Sequence, residues 1–577
     1  MDVDRQRATR DVGPPVDDGP TEACGVFGVY GPGLPVAHLS YLGLFALQHR
    51  GQEAAGMAVS DGSMLTVVKD QGLVASVFDE RTLAGLSGHL AIGHCRYSTT
   101  GSSTWRNAQP AYRSVGDHQF ALGHNGNLTN TEALAAEHGM LTGTVTSDTD
   151  LVAELLAAEL ASAASSAVSP AAASGVGAPG QAGGGPDGDG GGRPAGGGSG
   201  GGSNGERSGG AGAGDREMTV PPARPPGGPP GGTPGGPPTG PSPLADAVAA
   251  VAPRLAGAFS LVLMDDSSII GVRDPNGFRP LCLGRLDTGW VLASETPALD
   301  IVGAQVVREL EPGEMVVIDH DGLRSIHPFA AERVDPRLCL FEFVYFARPD
   351  SRLYGMSVHQ ARIRMGEQLA EQAPADADMV MGVPESGVPA AEGFARRSGI
   401  PLGQGLVKNR YIGRSFIAPT PELRAQAVRM KLNPLRENIE GRRLVVVDDS
   451  IVRGTTQHQL VRMLREAGAR EVHLRISSPP VRWPCFYGID TGDRDELIAS
   501  DLSIEQIRKY LDVDTLAYLD IDRLVTATGA AGAGFCAACF TGDYPVEVPV
   551  NLREHILEQN QQVFEEDIVQ PALDGTT

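Results

Sequence analysis

Cys24 is the first residue in this sequence that could do covalent chemistry. It heads the string CGVFGVYG, where a lone cysteine before a strand is more often an inert buried thiol. Three polar strings follow: HCRYSTTG holds Arg96, HNGNLTN holds Asn125–Gly126, and TSDTD holds Asp148. Hydrolysis of an amide needs a nucleophile, a base and donors for the oxyanion, and these residue types suit that reaction.

A pair of aspartates marks a second place where chemistry is expected. Asp448 and Asp449 follow the apolar run Leu444–Val447 and precede SIVRGTT. Two adjacent carboxylates at a strand end are unfavourable unless they meet hydroxyls or a metal ion. Gly454 lets backbone N–H groups turn toward an anion, and the two threonines after it stand where a helix N-terminus would hold a phosphate. For a bare Asp–Asp pair, the alternative is an ordinary acidic loop.

Four of the seven cysteines form a third candidate group: Cys339, Cys485, Cys536 and Cys539. The last two make a CxxC pair, which can be redox-active, half of a zinc site, or neither. Four thiolates could hold zinc or an iron–sulfur cluster, and free thiols are the remaining alternative. Cys95 and Cys282 have no such context and are predicted to be packing residues.

The elements that must position these residues follow two patterns. In the first half, short apolar strands such as Cys24–Val29 and Met57–Val59 alternate with Gly-rich turns, which predicts an α/β region rich in antiparallel strands. After about Asp335, apolar strands such as Met379–Val383 alternate with helices such as Val358–Gln372. That alternation is typical of a parallel, doubly wound sheet, whose ligands bind at the carboxyl ends of the strands.

Residues 162–243 interrupt the first half and consist mostly of Gly, Pro, Ala and Ser. Such a composition cannot bury enough apolar surface to offset the entropy lost on ordering, so we predict a disordered segment. It is either a linker between domains or an insertion within one. The helix at Asp150–Ala161 and the strand-like run Gly257–Asp266 favour an insertion, because neither flank looks like the end of a domain.

Charge and composition limit the function classes. The 577-residue chain has a formal net charge of -23, which argues against nucleic acid or an anionic membrane as partner. It contains no apolar run of about 20 residues and no secretory signal, so we expect a cytoplasmic, reducing location.

The four strings of the first half, together with QHRGQEAAG, resemble the class II glutamine amidotransferase domain, an N-terminal-nucleophile hydrolase with an αββα sandwich. The resemblance implies that Cys24 is the nucleophile once the propeptide 1–23 is removed, with its own α-amine as base. It also implies that Asn125 and Gly126 stabilise the oxyanion, that Arg96 binds the carboxylate of glutamine, and that Asp148 binds its ammonium. The domain would span residues 24–335, apart from the insertion.

VVVDDSIVRGTT resembles the phosphoribosyl pyrophosphate (PRPP) motif of type I phosphoribosyltransferases, and this domain would span residues 336–545. Residues 546–577 are predicted to form a helical tail. By resemblance, Ser386 of GVPESGVPAA joins Asp448 and Asp449 in a magnesium–PRPP site. A basic loop with Arg414 and Arg429 would close on PRPP, although a solvated basic loop is the alternative. The implied PRPP-binding residues are Lys408, Arg410, Lys431, Asp448, Asp449, Ser450, Ile451, Val452, Arg453, Gly454, Thr455 and Thr456.

The two halves in this order resemble the amidophosphoribosyltransferase family, as do CLFEFVYFARPDS and RDPNGFRPLCLG. The resemblance implies that ammonia from glutamine crosses an internal passage, displaces pyrophosphate from PRPP and gives 5-phosphoribosylamine, the first committed step of purine synthesis. Cys339, Cys485, Cys536 and Cys539 match the four ligands of the iron–sulfur branch, which carries a 4Fe-4S cluster. The family further implies Mg²⁺, feedback inhibition by purine nucleotides and a homo-oligomer, either a dimer or a tetramer.

Two other functions compete with this interpretation. A sugar-phosphate aminating synthase has the same glutaminase, but its acceptor domain lacks the PRPP motif. A regulatory protein without activity could bind PRPP, but it would be expected to have lost Cys24, Arg96 or Asp448, and all three are present.

Overall fold

The computed structural model describes residues 24–97, 105–140, 145–167, 242–409, 431–489, 491, 493–530, 532 and 534–549. The described residues up to Ser165 and from Ser242 onward belong to one compact unit. The predicted propeptide, most of the predicted insertion and most of the predicted tail lie outside the described residues, as do Arg410, Arg414 and Arg429.

The N-terminal half contains two antiparallel sheets. Their strands are β1 (Gly25–Tyr30), β2 (Ala54–Ser60), β3 (Leu65–Gln71), β4 (Leu90–Arg96), β5 (Ala111–Val115), β6 (His118–Leu128), β7 (Gly257–Met264), β8 (Ile269–Arg273), β9 (Cys282–Leu286), β10 (Gly289–Ala293), β11 (Gln305–Glu309), β12 (Met315–Asp319) and β13 (Gly322–Ile326). One sheet has the strand order β11-β9-β10-β1-β4-β2-β3, and the other has the order β13-β12-β8-β7-β6-β5.

Helices cover the outer faces of both sheets. In this half they are α1 (Val36–Ala46), α2 (Val74–Val77), α3 (Glu80–Gly85), α4 (Thr131–Glu137), α5 (Asp148–Ala167), α6 (Pro243–Val251) and α7 (Thr296–Ile301). Apolar side chains from the facing sides of the two sheets, among them Val26 and Val262, form one buried core between them. Leu44 of α1 packs on the outer face of the first sheet, and Leu155 of α5 packs on that of the second. The predicted αββα sandwich is confirmed.

The two sides of the predicted insertion belong to the same layer. Helices α5 and α6 share one apolar core, and β6 is paired with β7. Helix α5 runs from Asp148 to Ala167, so it extends beyond the sequence-based helix Asp150–Ala161 at both ends. The chain therefore leaves and re-enters a single domain around residues 168–241.

The C-terminal half is built on a parallel sheet of order β17-β20-β21-β22. Its strands, with three short pairs, are β14 (Leu338–Cys339), β15 (Arg352–Leu353), β16 (Met356–Ser357), β17 (Met379–Gly382), β18 (Leu406–Lys408), β19 (Leu432–Pro434), β20 (Arg443–Asp448), β21 (Glu471–Ile476), β22 (Thr515–Tyr518) and β23 (Phe535–Cys536). The helices are α8 (Val358–Gln372), α9 (Val388–Ser398), α10 (Arg436–Ile439), α11 (Thr455–Glu466), α12 (Ile498–Asp501), α13 (Ile504–Tyr510), α14 (Ile521–Thr528) and α15 (Ala538–Thr541).

Strand β20 is buried on both faces, as its apolar run predicts. Val445 and Val447 pack with Phe394 of α9 on one face. The alternate residue Val446 packs with Leu460 of α11 on the other. This confirms the predicted doubly wound sheet. Within the described ranges, no helix is long and apolar enough to cross a membrane.

Candidate active site

Cys24 lies immediately before β1 and is 7% exposed. Its Sγ donates to the Tyr97 carbonyl at 3.4 Å and lies 3.5 Å from the Tyr97 N–H. Burial is the main cause that raises the pKa of the thiol to about 11; the hydrogen bond with Tyr97 and the charge of Arg96 oppose the rise, and the charges of Asp148 and Glu53 add to it. The thiol is therefore protonated at neutral pH, and it needs a base to become a nucleophile.

The charged groups predicted to bind glutamine surround this thiol. Arg96 ends β4, which pairs with β1 in a register that places Cys95 opposite Gly25. Asp148 begins α5 and accepts hydrogen bonds from the Leu128 N–H at 3.4 Å and the Thr149 N–H at 2.7 Å. The charges of both side chains act on the Cys24 thiol, so the fold brings all three residues together.

His124 is a neighbour of Asp148 that the sequence analysis did not single out. Its Nδ1 lies 3.4 Å from Asp148 Oδ2, and both side chains are buried. Burial alone would raise the pKa of Asp148, but the charge and hydrogen bond of His124, with the Thr149 N–H, leave it lowered. Asp148 is consequently ionised at neutral pH, as recognition of an ammonium group requires. The available signal was the position of His124 directly before Asn125.

Asn125 and Gly126 lie on β6 opposite Ser260 and Phe259 of β7. The Asn125 side chain is fully buried, and among the described residues its Nδ2 makes only a long contact of 3.4 Å with Ser294 Oγ. Its Oδ1 has no hydrogen-bond partner among the described residues. Gly126 has φ +149°, and a Cβ there would lie 2.1 Å from the Ala258 carbonyl oxygen, so only glycine fits.

Ser294 is a second residue that the sequence analysis missed. Its Oγ accepts the Val26 N–H at 2.9 Å and lies beside the Asn125 amide. It therefore links the strand that follows Cys24 to the predicted oxyanion donor. Ser294 ends the string WVLAS, in which no chemical pattern identifies it.

The N-terminal half contains a cavity of about 730 Å³. Gln109 and Thr149 line it and are hydrogen-bonded to each other at 2.9 Å. Gln109 also accepts the His124 N–H at 2.8 Å, so the cavity wall is continuous with the residues around Asp148. Its other lining residues include Lys69, Trp105, Arg106, Tyr112, Arg113, Asp150 and Glu154.

In the C-terminal half, Asp448 ends β20, Asp449 follows it, and each is 5% exposed. Burial raises the pKa of both carboxyls, and the charge of Asp449 raises that of Asp448 further. Hydrogen bonds from Ser386 and Ser450 to Asp449 oppose this rise without cancelling it. Two adjacent, buried carboxyl groups with raised pKa values fit a site for a divalent cation, because Mg²⁺ prefers hard oxygen ligands.

Ser386 follows β17, and β17 lies beside β20 in a parallel pair. The carboxyl ends of the two strands therefore meet at one edge of the sheet, which brings Ser386 to the aspartates. Gln457 also donates to Asp448 Oδ2 at 3.4 Å and to the Ser450 carbonyl at 3.2 Å. Gln457 was not predicted, and it fixes the loop against the acidic pair.

The loop after Asp449 divides into buried and open residues. Ile451 and Val452 are buried in the core, so only their backbone can face a ligand. Arg453 pairs with Glu496 at 2.6 Å. Gly454 has φ +83° and precedes the first turn of α11, where Thr455 is exposed and Thr456 is half-buried. Helix α11 thus begins at Thr455, so both threonines lie in its first turn.

The two described lysines of the predicted basic loop lie at the same end of the β18–β19 strand pair. Lys408 ends β18, opposite Leu432 of β19. The Asn409 N–H bonds to the Lys431 carbonyl at 2.9 Å, and Lys408 Nζ lies 3.4 Å from Glu385. Both lysines are therefore at the base of the segment 410–430, and Lys408 reaches the loop that carries Ser386.

The four candidate cysteines are also brought together. The parallel pair of β14 and β23 places Cys339 opposite Cys536. Burial raises the pKa of the Cys339 thiol to about 11, and burial followed by the charges of the other three thiols raises that of Cys539. All four are free thiols. Backbone N–H groups point at three of the sulfurs, including the Tyr487 N–H at 3.4 Å from Cys485 Sγ.

The spacing of the cysteine sulfurs bears on which metal they could hold. Among the described residues, no three cysteine sulfurs lie within 4.8 Å of one another. A tetrahedral zinc site needs sulfurs about 3.8 Å apart, as follows from Zn–S bonds of about 2.3 Å. A cluster is larger than a single ion and suits wider spacing. The buried guanidinium of Arg279 lies beside Cys339 and Cys485 and would offset part of the thiolate charge.

Comparison with known proteins finds one matching family model in each half of the chain. Residues 52–174 match the model of "Glutamine amidotransferases class-II", and residues 355–477 match that of the "Phosphoribosyl transferase domain". An amidophosphoribosyltransferase of Mycobacterium tuberculosis is 47% identical over 557 residues, covering 93% of this chain and 90% of the relative. That of Bacillus subtilis is 39% identical, covering 92% and 95%.

The fold is likewise similar to a solved structure, the glutamine PRPP amidotransferase from B. subtilis complexed with ADP and GMP. The TM-score is 0.72 at 39% identity, over 91% of this chain and 98% of that one. A structure described as the allosteric regulatory enzyme of purine biosynthesis has the same TM-score and identity.

Proposed function

The chain belongs to the amidophosphoribosyltransferase family of glutamine-dependent glycosyltransferases, which catalyse the first step of purine biosynthesis, and from that premise we propose how its residues divide the reaction. Glutamine is hydrolysed in the N-terminal half. The ammonia formed displaces pyrophosphate from PRPP in the C-terminal half and gives 5-phosphoribosylamine.

We propose that Cys24 attacks the side-chain amide of glutamine after Met1–Ala23 has been removed. The raised pKa of the thiol supports the need for a base at this position. A free α-amine on Cys24 meets that need, because its ordinary pKa of about 7.7–8.0 lies near neutral pH. The amine takes the thiol proton, a thioester forms, and ammonia leaves. Water then releases glutamate and restores the thiol.

In the same proposal, Asn125 Nδ2 and the Gly126 N–H hold the oxyanion that forms during attack. The long contact of the Asn125 amide to Ser294 leaves it available for a stronger partner. Arg96 binds the carboxylate of glutamine, and Asp148 binds its ammonium. The lowered pKa of Asp148 supports this last role, since it keeps the carboxylate charged.

We propose that Asp448, Asp449 and Ser386 hold Mg²⁺ with PRPP, and that the aspartates also bind the ribose hydroxyls. When bound, Mg²⁺ would neutralise charge on the pyrophosphate leaving group. Backbone N–H groups of Ser450–Thr456 would hold the 5-phosphate at the start of α11. Lys408, Arg410 and Lys431 would bind the pyrophosphate.

We propose several further features of the molecule. The four cysteines bind a 4Fe-4S cluster, which the burial of Cys339, Cys536 and Cys539, the spacing of the sulfurs and the N–H donors support. Purine nucleotides act as feedback inhibitors, consistent with the ADP and GMP of the B. subtilis structure. An internal ammonia passage, a homo-oligomer, a cytoplasmic location and a disordered Gly/Pro-rich insertion stay predictions.

The observation that carries the proposal is that Cys24, Arg96 and Asp148 meet in one half while Asp448, Asp449 and Ser386 meet in the other. A single experiment tests the combination: release of glutamate and pyrophosphate is followed with glutamine alone, PRPP alone, and both. We expect both products in equal amounts only when both substrates are present. Glutamate release without pyrophosphate would indicate an aminating synthase with another acceptor, and neither product would indicate a regulatory protein.

A further inference from the structure

A segment of the C-terminal half lies directly against residues Asn125 and Gly126 of strand β6 in the N-terminal half. Gly488 has φ +93°, and a Cβ at this position would lie 2.9 Å from the carbonyl carbon and 3.0 Å from the Cα of Gly126. The two backbones are therefore in contact, with no side chain between them. The Ala258 carbonyl oxygen of β7 also lies close to Gly126 and leaves no room there for a side chain.

Asn127 makes the second contact between the two halves at this part of β6. Its side chain is 7% exposed, and its Nδ2 donates to the Phe486 carbonyl at 3.0 Å. Asn127 is on β6, where it pairs with Ala258. The strand that carries the predicted oxyanion donors is thus bonded to the segment Phe486–Gly488 immediately after those donors.

The segment Phe486–Gly488 is itself held firmly. The Tyr487 carbonyl accepts two hydrogen bonds from Arg279, at 3.0 Å from Nε and 2.7 Å from Nη2. Arg279 also donates to Glu342 at 3.1 Å, and both of these charged side chains are fully buried. The Tyr487 ring stacks on Phe278 with a centroid distance of 4.5 Å and an interplanar angle of 13°. Because the segment Phe486–Gly488 is held in place by these contacts, it can hold the part of β6 that contacts it.

The oxyanion donors depend on such external support. The bonds of the Asn125 side chain itself are weak, because among the described residues its Nδ2 makes one contact at 3.4 Å and its Oδ1 has no partner. Donors stabilise a developing oxyanion only if they are oriented before the reaction begins. We propose that Asn127 and Gly488 are positioning residues of the oxyanion hole, so that the C-terminal half completes the glutaminase site. This inference rests on the proposed role of Asn125 and Gly126.

The test compares Asn127→Ala and Gly488→Ala with the matched control Asn130→Ala. Asn130 belongs to the same HNGNLTN string and also bonds to backbone, at Arg254 and Ala256, but it does not contact the segment. The full-length, processed proteins are assayed for glutamine hydrolysis in the presence of PRPP. We expect kcat for glutamine to fall roughly ten- to a hundredfold in both test variants, with KM unchanged, because a small displacement of a catalytic donor costs this much. Asn130→Ala should stay within about twofold of the parent on the same reasoning.

Two further measurements separate positioning from a general loss of structure. Ammonia-dependent synthesis of phosphoribosylamine should stay at the parental rate. Alkylation of Cys24 by iodoacetamide, which forms no oxyanion, should also keep its rate. A parental kcat for glutamine in both test variants, or an equal loss in the ammonia reaction and in alkylation, would overturn the inference. Asn125→Ala is run alongside: if it leaves kcat unchanged, the proposed oxyanion role fails instead, whatever the test variants do.

Discussion

Asp448 and Asp449 are buried side by side, and burial together with their mutual charge raises the pKa of Asp448. A carboxyl whose pKa is higher in the folded than in the unfolded protein destabilises the fold when it is ionised. The destabilisation appears as the pH rises above the unfolded pKa of about 3.9 and is relieved on acidification. Ligand binding therefore accounts for the presence of these two aspartates, because their ionised forms lower the stability of the fold.

Replacing either aspartate by asparagine separates these two effects. We expect Asp448→Asn and Asp449→Asn to abolish PRPP turnover with glutamine or ammonia, because asparagine cannot supply the charge that orients ribose and metal. Without Mg²⁺ and PRPP, the midpoint of thermal unfolding should rise by a few degrees, since a buried charge has been removed. Asp512→Asn is the control, because Asp512 is exposed and its φ of +56° suits asparagine equally well. A lower midpoint together with retained PRPP turnover would contradict the assignment.

Asp148 shows the opposite shift, and His124 is its cause. The pKa of Asp148 is lowered in the folded protein, so its carboxylate is charged at every pH above the ordinary pKa of an aspartate. It loses this charge only when the pH falls through the lowered pKa. In His124→Ala, burial would dominate and the pKa would rise. We expect the KM for glutamine to increase several-fold as the pH is lowered from 8 to about 5.5 in this variant, and to stay nearly level in the parent.

This pH profile is measured under PRPP saturation, with His138→Ala as the control. His138 is an exposed histidine of the same half that contacts Arg254. Equal pH profiles for parent and His124→Ala would show that His124 does not set the charge of Asp148.

At the scale of elements, the pairing of β14 with β23 is what assembles the proposed cluster site. These two-residue strands lie at opposite ends of the C-terminal half in sequence, and their register sets Cys339 against Cys536. The chain then turns at α15, which carries Cys539. A metal centre here would join the start of the domain to its end and so stabilise the pairing.

Anaerobically purified protein should contain iron and sulfide near four of each per chain, as expected for a 4Fe-4S centre. Cys339→Ala should lose both and unfold at a lower temperature. Cys282→Ala should retain both, because Cys282 is a buried cysteine of the N-terminal half away from the group. Stoichiometric zinc without iron in the parent would contradict the cluster assignment.

Prediction from sequence succeeded where a pattern is local. The apolar run of β20 and the helix Val358–Gln372 follow from periodicity and length, and the latter has its predicted bounds. Ser294 and Gln457 could not be found this way. Ser294 acts through a contact with Asn125, which is distant in sequence. Gln457 acts through contacts with Asp448 and the Ser450 carbonyl, which depend on how the loop folds back onto the helix. The contact of Asn127 with Phe486 joins positions 359 residues apart, which no local pattern encodes.

At the scale of the whole molecule, a buried network of charges joins the two halves. Arg50 of the N-terminal half pairs with Glu342 of the C-terminal half at 2.5 Å, and Arg279 pairs with the same carboxylate. Arg50 also pairs with Glu295, so two positive and two negative side chains are fully buried together. Breaking a buried pair costs several kcal/mol, roughly 3–5, so the halves have a fixed relation in the described structure.

The fixed halves still carry separate chemistry, and Cys24→Ala tests that central claim most directly. The protein is produced so that position 24 is its first residue, which prevents failed removal of Met1–Ala23 from explaining a loss. Cys95→Ala is the control, since Cys95 is buried beside the same strand. Initial rates of phosphoribosylamine formation are measured with glutamine at neutral pH and with ammonium salt at raised pH.

We predict that Cys24→Ala loses glutamine-dependent synthesis by several orders of magnitude, because no neighbouring group can replace the thiol. Its ammonia-dependent rate should equal that of the parent, because the aspartates of β20 and the loop after them are untouched. Retained synthesis from glutamine would contradict the role of Cys24, and loss of synthesis from ammonia would contradict the independence of the two sites.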